Sequence, residues 1–255
     1  MNRKIAALCA VFAVLAAFAQ VAAALTVGTF HIDDFHVAGS LSAKRASAPY
    51  DQRDMRDLAK AIRKSRAAAL ALQDVEGDAA MRYLAVTALS GWKYAGNDTA
   101  SASDLYFLWD PRRAELKGTV RALTAGTLPR APLAACFRDP VSDSEYTLLN
   151  AHLDNAAATE QMKELYRLAK KLPMPVVLLG CFGDPTSPAS DMQFRKLERG
   201  YSCDDARSNP DFVAVLGLPS DQIGTVKETE TAIRRRTSRR RERPSHDIIT
   251  VELLD

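Results

Sequence analysis

Cysteine is scarce in this chain. There are four in 255 residues, Cys9, Cys136, Cys181 and Cys203, and no two of them have the spacing of a zinc-binding pair. Cysteines this few and scattered exclude a scaffold built on disulfides and a cysteine-based zinc module. Histidine is equally scarce: His31, His36, His152 and His246 are the full set, and no His-x-x-x-His motif occurs. Charge of one sign is missing too, since 34 basic side chains face 31 acidic ones for a net of +3. That balance argues against binding of polyanions by bulk charge. Repeats, linkers and a second long apolar run are absent, so nothing in the sequence divides the chain. What remains, 47% hydrophobic and 25% charged, is the composition of an ordinary globular protein.

The one long apolar run opens the chain. Arg3 and Lys4 form a short basic start, residues 5–21 are almost wholly apolar, and Ala22, Ala23 and Ala24 suit a signal peptidase. The expectation is a signal peptide over residues 1–24 and a secreted or periplasmic mature chain of residues 25–255. The other reading of the run is an uncleaved membrane anchor. Cleavage removes Arg3, Lys4 and Cys9, which leaves 32 basic groups against 31 acidic ones and three cysteines. Of these, Cys181 with Cys203 is the pairing to consider first. A mature chain of this size can bury one substantial core, and a monomer with no further transmembrane segment is expected.

Hydrophobic periodicity lays out the elements. β-branched and apolar runs predict strands at 25–32, 67–73, 105–109, 133–138, 146–153, 176–179, 212–215, 222–226 and 248–253. Helical spacing of Met55, Leu58 and Ile62 predicts a helix over 51–65, with Asp51 as its cap. Further helices are expected at 78–89, at 159–172 (Met162, Leu165, Leu168) and, short, at 191–197. Strand and helix alternate early and strands dominate late. The pattern suits an α/β protein: a four-layer sandwich of two central, mostly antiparallel sheets flanked by helices.

Polar side chains gather at the ends of these strands, where open sheets present their ligand sites. They are His31 and Asp33, Gln73 and Asp74, Asn150 and His152, Cys181 to Asp184, Asp221, and His246 with Asp247. Their order resembles the endonuclease/exonuclease/phosphatase superfamily. Thr29-Phe30-His31-Ile32 is similar to its opening T-W-N-I strand, and Leu72-Gln73-Asp74-Val75 to L-Q-E-V. Asn150-Ala151-His152-Leu153 is similar to N-x-H-L, and Leu179-Gly180-Cys181-Phe182-Gly183-Asp184 to L-G-D-F-N-D. Asp221-Gln222-Ile223 resembles the I-D-H-I segment, and Ser245-His246 the terminal S-D-H. The match spans residues 25–253 in the family's order.

The departures fall on the chemistry. The resemblance implies a divalent ion, usually Mg²⁺, held by an Asn and a Glu, and His31 and Asp74 stand there instead. The carboxylate that activates water and the Asn that binds phosphate are replaced by Cys181 and Gly183, and the Asp of S-D-H by Ser245. His246, its supporting Asp221 and the phosphate-contacting His152 are the catalytic positions that the resemblance retains. A neutral thiol is a poor general base, and an imidazole is a poor ligand for Mg²⁺. Mg²⁺ or another divalent cation is therefore expected to bind weakly or not at all. A remodelled set, with His31 and Asp74 joined by Asp184, or by Cys181 for Zn²⁺, is the alternative.

Seven arginines, Arg234, Arg235, Arg236, Arg239, Arg240, Arg241 and Arg243, lie within ten residues just before His246. Such a block is either a solvated loop or a flap that grips phosphates; no aromatic interleaves with it to stack on bases. Asn150 and His152 join these arginines as phosphate-binding candidates, with Arg130, whose short match is to a family arginine beside the phosphate. The resulting expectation is a catalytically degenerate member of this fold that binds a phosphate-bearing ligand such as nucleic acid or anionic lipid. A metal-dependent phosphodiesterase and a host-interaction or other protein-interaction module are the alternatives.

Overall fold

The computed structural model describes residues 24–37, 49–97, 104–124, 126, 128–154, 157–182, 192–195, 211–229, 235–236, 241–242 and 247–254. The first sheet is formed by β1 (Leu25–Phe35), β2 (Ala69–Val75), β3 (Lys93–Gly96), β4 (Asp104–Trp109), β11 (Ile223–Thr229) and β14 (Ile248–Leu253), in the order β11-β14-β1-β2-β4-β3. The second holds β5 (Glu115–Ala122), β6 (Leu133–Arg138), β7 (Glu145–His152), β8 (Val176–Cys181), β9 (Met192–Arg195) and β10 (Asp211–Leu216), in the order β5-β6-β7-β8-β10-β9. Each sheet has one parallel pair, β1 with β2 and β7 with β8, and is otherwise antiparallel. A two-stranded ribbon, β12 (Arg235–Arg236) with β13 (Arg241–Glu242), stands apart.

Alternation along the strands builds the layers. Val27, Ala69, Ala71 and Phe107 of the first sheet meet Leu148, Val177, Leu179 and Val213 of the second in the central core. The opposite face of the first sheet, with Phe30, Leu70 and Leu72, packs on α1 (Gln52–Ser65), on α2 (Gly77–Arg82) and on a π-helical continuation, Tyr83–Ala88. The outer face of the second, with Leu149, Val176 and Leu178, packs on α3 (Ala158–Ala169) through Met162 and Leu165. The result is the four-layer α/β sandwich that the sequence predicts. Each fully buried Leu, Ile or Phe in these cores contributes about 1.5–3 kcal/mol of transfer free energy.

Helix α1 shows the local logic. The Asp51 carboxylate accepts from the backbone amides of Arg53 (2.7 Å) and Asp54 (2.8 Å), while Asp54 Oδ2 accepts from Asp51 N at 3.1 Å. This capping box fixes the helix start, and Arg66 in the left-handed region ends it. Met55, Leu58 and Ile62 then face the sheet.

The predicted short helix at 191–197 is a correction, because Met192–Arg195 instead pairs with β10 as an edge strand. Pairing to an available sheet edge overrides weak helical propensity. Strands β3 and β5 lacked a sequence signal for a related reason: both lie at sheet edges, and neither has a fully buried residue. Of the expected signal segment, residues 1–24, all but Ala24 lie outside the described residues. Among the described residues no helix is long and apolar enough to cross a membrane.

Candidate functional site

The central core turns polar at one end of the sandwich. The inward face of β1 runs Leu25, Val27, Thr29, His31; that of β2 runs Ala69, Ala71, Gln73. In β7 the run is Leu148, Asn150, His152, and in β8 Val177, Leu179, Cys181. These four strands are the two parallel pairs, so their last inward residues arrive at the same edge. His31 pairs with Gln73 in register, and His152 with Cys181.

A clasp of buried amides lies beneath this edge. Asn150 is fully buried; its Nδ2 donates to Leu72 O (3.0 Å) and Tyr106 O (2.9 Å), and its Oδ1 accepts from Gln73 Nε2 at 2.8 Å. Thr29 Oγ1 completes the chain by donating to Gln73 Oε1 at 3.2 Å. Asn150, expected among the phosphate contacts, is therefore spent on holding the two sheets together, since the Leu72 and Tyr106 carbonyls lie on the opposite sheet.

Asp74 lies above the clasp. Strict alternation would send its side chain away from Gln73, to the other face. Its φ of +58° breaks the alternation, and the β1/β2 and β2/β4 registers shift at the same place. Aspartate tolerates this left-handed region better than most residues. Asp74 Oδ2 thereby lies 2.6 Å from His31 Nε2, and Oδ1 lies 3.5 Å from His152 Nδ1 and 3.7 Å from Arg130 Nη2. The two imidazoles meet edge to face, with ring centroids 4.8 Å apart. His31 and His152 are buried, and Asp74 and Arg130 are partly exposed.

Burial works to raise the Asp74 pKa. The hydrogen bond with His31 and the charges of His31, His152 and Arg130 outweigh it, so the carboxyl is held below the ordinary carboxylate value. One carboxylate thus anchors three nitrogen groups. Arg130 has a further property: its Nη1 is buried and has no hydrogen-bond partner among the described residues. A guanidinium N–H in that position is a donor in want of an anionic acceptor.

Ligand atoms of His31, Asp74 and His152 all lie within 4.8 Å of one another. Mg²⁺ demands near-octahedral coordination by oxygen, whereas two of these three donors are imidazole nitrogens. The side chains present do not fit Mg²⁺. Cys181, at the position of the expected water-activating carboxylate, is fully buried and is not part of the cluster. His152 joins His31 on one carboxylate, a convergence that depends on the stacking of the two sheets and has no local signature.

Asp221 is a second correction. It sits exposed in a 3₁₀ turn, Ser220–Gln222, just before β11. Ile223 pairs with Leu253, which pairs with Leu25, whereas Thr29 pairs with Ile249 at the His31 end. Asp221 is therefore at the far end of the first sheet, roughly 20 Å away at about 3.3 Å per strand residue. Asp211 opens β10 in register with Cys181 at the site end. The apolar alternation that follows it, Phe212 to Val215, was the available signal.

The arginine-rich stretch joins β11 to β14, and the pairing of Thr229 with Ile248 roots both its ends at the site edge. The backbones of Arg235, Arg236 and Arg241 form the ribbon of β12 and β13. Arg234, Arg239, Arg240, Arg243, Gly183, Asp184, Ser245, His246 and Cys203 lie outside the described residues, as does the side chain of Asp33.

No family model matches the sequence, and no curated protein matches it. Solved structures do match in shape. A TDP2 of D. rerio, humanized by 14 mutations, superposes with a TM-score of 0.66 at 12% identity, over 91% of this chain and 100% of that one. An endonuclease/exonuclease/phosphatase from Bacteroides vulgatus gives 0.61 at 15% identity, over 91% and 99%. A mannosyl-6-phosphatase of Bacteroides thetaiotaomicron gives 0.59 at 16% identity, over 91% and 100%. The fold of this chain is that of the endonuclease/exonuclease/phosphatase proteins.

Proposed function

We propose that this is an exported protein that binds a phosphate-bearing ligand at the edge formed by His31, Asp74, His152 and Arg130, and that it has lost Mg²⁺-dependent hydrolysis. The observation that carries the reading is the partly exposed Arg130 guanidinium, held near Asp74 at 3.7 Å with Nη1 lacking an acceptor among the described residues. A phosphate oxygen supplies that acceptor with a charge-assisted hydrogen bond. Asp74 limits the guanidinium's freedom, so less side-chain entropy is lost on binding. His31 and His152 add N–H donors at the same edge. The basic stretch between β11 and β14 offers further phosphate contacts, which favours an extended or polyanionic ligand such as nucleic acid or anionic lipid over a single small phosphate.

Loss of hydrolysis is argued from what the reaction needs. The Mg²⁺-dependent reaction that the superfamily resemblance implies uses an oxygen-ligated metal and a carboxylate to orient water. Two imidazoles with a single carboxylate stand in the first place and a buried thiol in the second, and such groups fail as a unit.

The test combines binding with turnover. Inorganic phosphate and a short oligonucleotide are titrated into the protein in EDTA, and hydrolysis of supercoiled DNA and bis-p-nitrophenyl phosphate is followed with Mg²⁺. Binding is expected, weakened about 10- to 100-fold in Arg130→Ala, the loss of one charged hydrogen bond. No Mg²⁺-dependent turnover above that of His246→Ala is expected. Mg²⁺-stimulated turnover that His246→Ala abolishes would overturn the loss of catalysis. Anion binding indifferent to Arg130→Ala would overturn the assigned site.

A further inference from the structure

We infer that His31, Asp74 and His152 form a site for a borderline transition-metal ion of the Zn²⁺ class, in place of the Mg²⁺ site that the superfamily resemblance implies. The inference goes beyond the proposed anion site and does not depend on it.

Donor chemistry is the first argument. Two imidazole nitrogens and one carboxylate oxygen are a poor set for Mg²⁺ and a good one for Zn²⁺, Co²⁺ or a similar ion, which nitrogen ligands favour. A catalytic-type zinc site has three protein ligands and one open position. The described residues supply three, with Asp74 partly exposed so that an ion can enter from solvent.

Placement is the second argument. The three residues come from the ends of β1, β2 and β7, so they straddle both sheets. They converge because two parallel strand pairs end together and because Asp74 takes a positive φ. A non-glycine residue in that region persists only where its surroundings over-determine it, and such positions cluster at ligand sites. A simple histidine–carboxylate hydrogen bond accounts for His31 at 2.6 Å. It leaves unexplained why the other oxygen of the same carboxylate faces a second buried imidazole, at 3.5 Å.

Reach is the third argument. Ligand atoms about 2.0–2.1 Å from a tetrahedral zinc lie roughly 3.3 Å apart. The cluster already spans 2.6 to 4.8 Å, so it closes on an ion by rotamer adjustments, with no movement of the sheets. Arg130 competes for Asp74 Oδ1, which makes its effect on the metal opposite to its effect on phosphate.

The full chain, stripped with EDTA and dialysed, is titrated with Zn²⁺, Co²⁺ and Mg²⁺ by calorimetry, with Co²⁺ also followed by its visible absorption. One equivalent of Zn²⁺ is expected to bind at micromolar Kd or tighter, and one of Co²⁺ to give a d–d band. Millimolar Mg²⁺ should displace neither. His31→Ala and His152→Ala should each weaken Zn²⁺ at least tenfold. His31→Asn keeps a polar side chain, so a loss of Zn²⁺ affinity with an unchanged Tm separates ligation from folding. Arg130→Ala should raise Zn²⁺ affinity while lowering phosphate binding in EDTA. Zn²⁺ binding untouched by the histidine variants, or Mg²⁺ binding as tightly as Zn²⁺, overturns the inference. Phosphate binding in EDTA can survive either result, so the two readings fail separately.

Discussion

At the scale of single residues, the structure separates groups that look alike in the sequence. Asn150 and His152 are two positions apart on one strand and were both expected at a phosphate. One is locked into the sandwich and the other reaches its edge. Asn150→Ala is expected to cost about 2–4 kcal/mol, because it strands the Leu72 and Tyr106 carbonyls and the Gln73 amide in the core. Chemical denaturation with an unchanged m-value measures it, and a cost under 1 kcal/mol would deny the clasp its role. Asp110 is a residue with a pH signature. Its buried carboxylate accepts from Arg112 N (3.1 Å), Nε (2.9 Å) and Nη2 (2.8 Å), and hydrogen bonding to Arg112 lowers its pKa against the opposing effect of burial. A carboxylate depressed in the folded state contributes stability above its unfolded pKa of about 3.9. That contribution is lost as pH falls through the lower, folded value. Asp110→Asn should therefore cost about 1 kcal/mol at pH 7, and the gap to wild type should close below about pH 4. Acid titrations of Tm for the two proteins check both statements, and a gap that widens in acid would contradict them.

At the scale of elements, legibility in the sequence followed burial. Strands with one or two buried faces, such as Leu25–Phe35 and Val176–Cys181, showed themselves through apolar periodicity. Edge strands such as Glu115–Ala122, which carries Arg121 and Lys117 to the surface, have no buried stripe and so no period to detect. The same limit explains the site. His31 and Asp74 were legible because each follows an apolar strand run, whereas the meeting of His31 with His152 depends on how two sheets stack, which no local pattern encodes. Asp221 misleads for that reason as well: it precedes a strand, but only strand direction tells which end of the molecule it occupies. The β7–β8 pair can be tested directly. A Cβ at Gly180 would lie 1.8 Å from Ala151 O, so this parallel pair approaches closely only because position 180 has no side chain. Gly180→Ala should cost about 3 kcal/mol or more as backbone is pushed apart, and should disturb His152, the next inward residue. Thermal melts with nuclear magnetic resonance of the His152 ring would show both, and an unperturbed ring would refute the coupling.

For the whole molecule, charge placement matters more than the net of +3. The basic stretch is rooted at the edge where Asp74 and Arg130 lie, so under the proposed function its field and the cluster would act on the same ligand. Replacing Arg235, Arg236 and Arg241 with Gln should weaken oligonucleotide binding and make the slope of log K against log salt shallower by up to about three phosphate contacts. Inorganic phosphate binding should change far less. A salt slope equal to that of wild type would place these arginines away from the bound ligand.

The pairing of β1 with β14 has a consequence in time. Leu25 hydrogen-bonds in register opposite Leu253, and β14 also carries β11. One side of β1 is covered early by β2, but its other side stays unpaired until β14 has been made. Contacts this distant in sequence slow folding. Under the export proposed above, this late pairing leaves one edge of β1 uncovered while the chain is threaded through a translocon, and the strand that covers it is the last of the sheet to arrive.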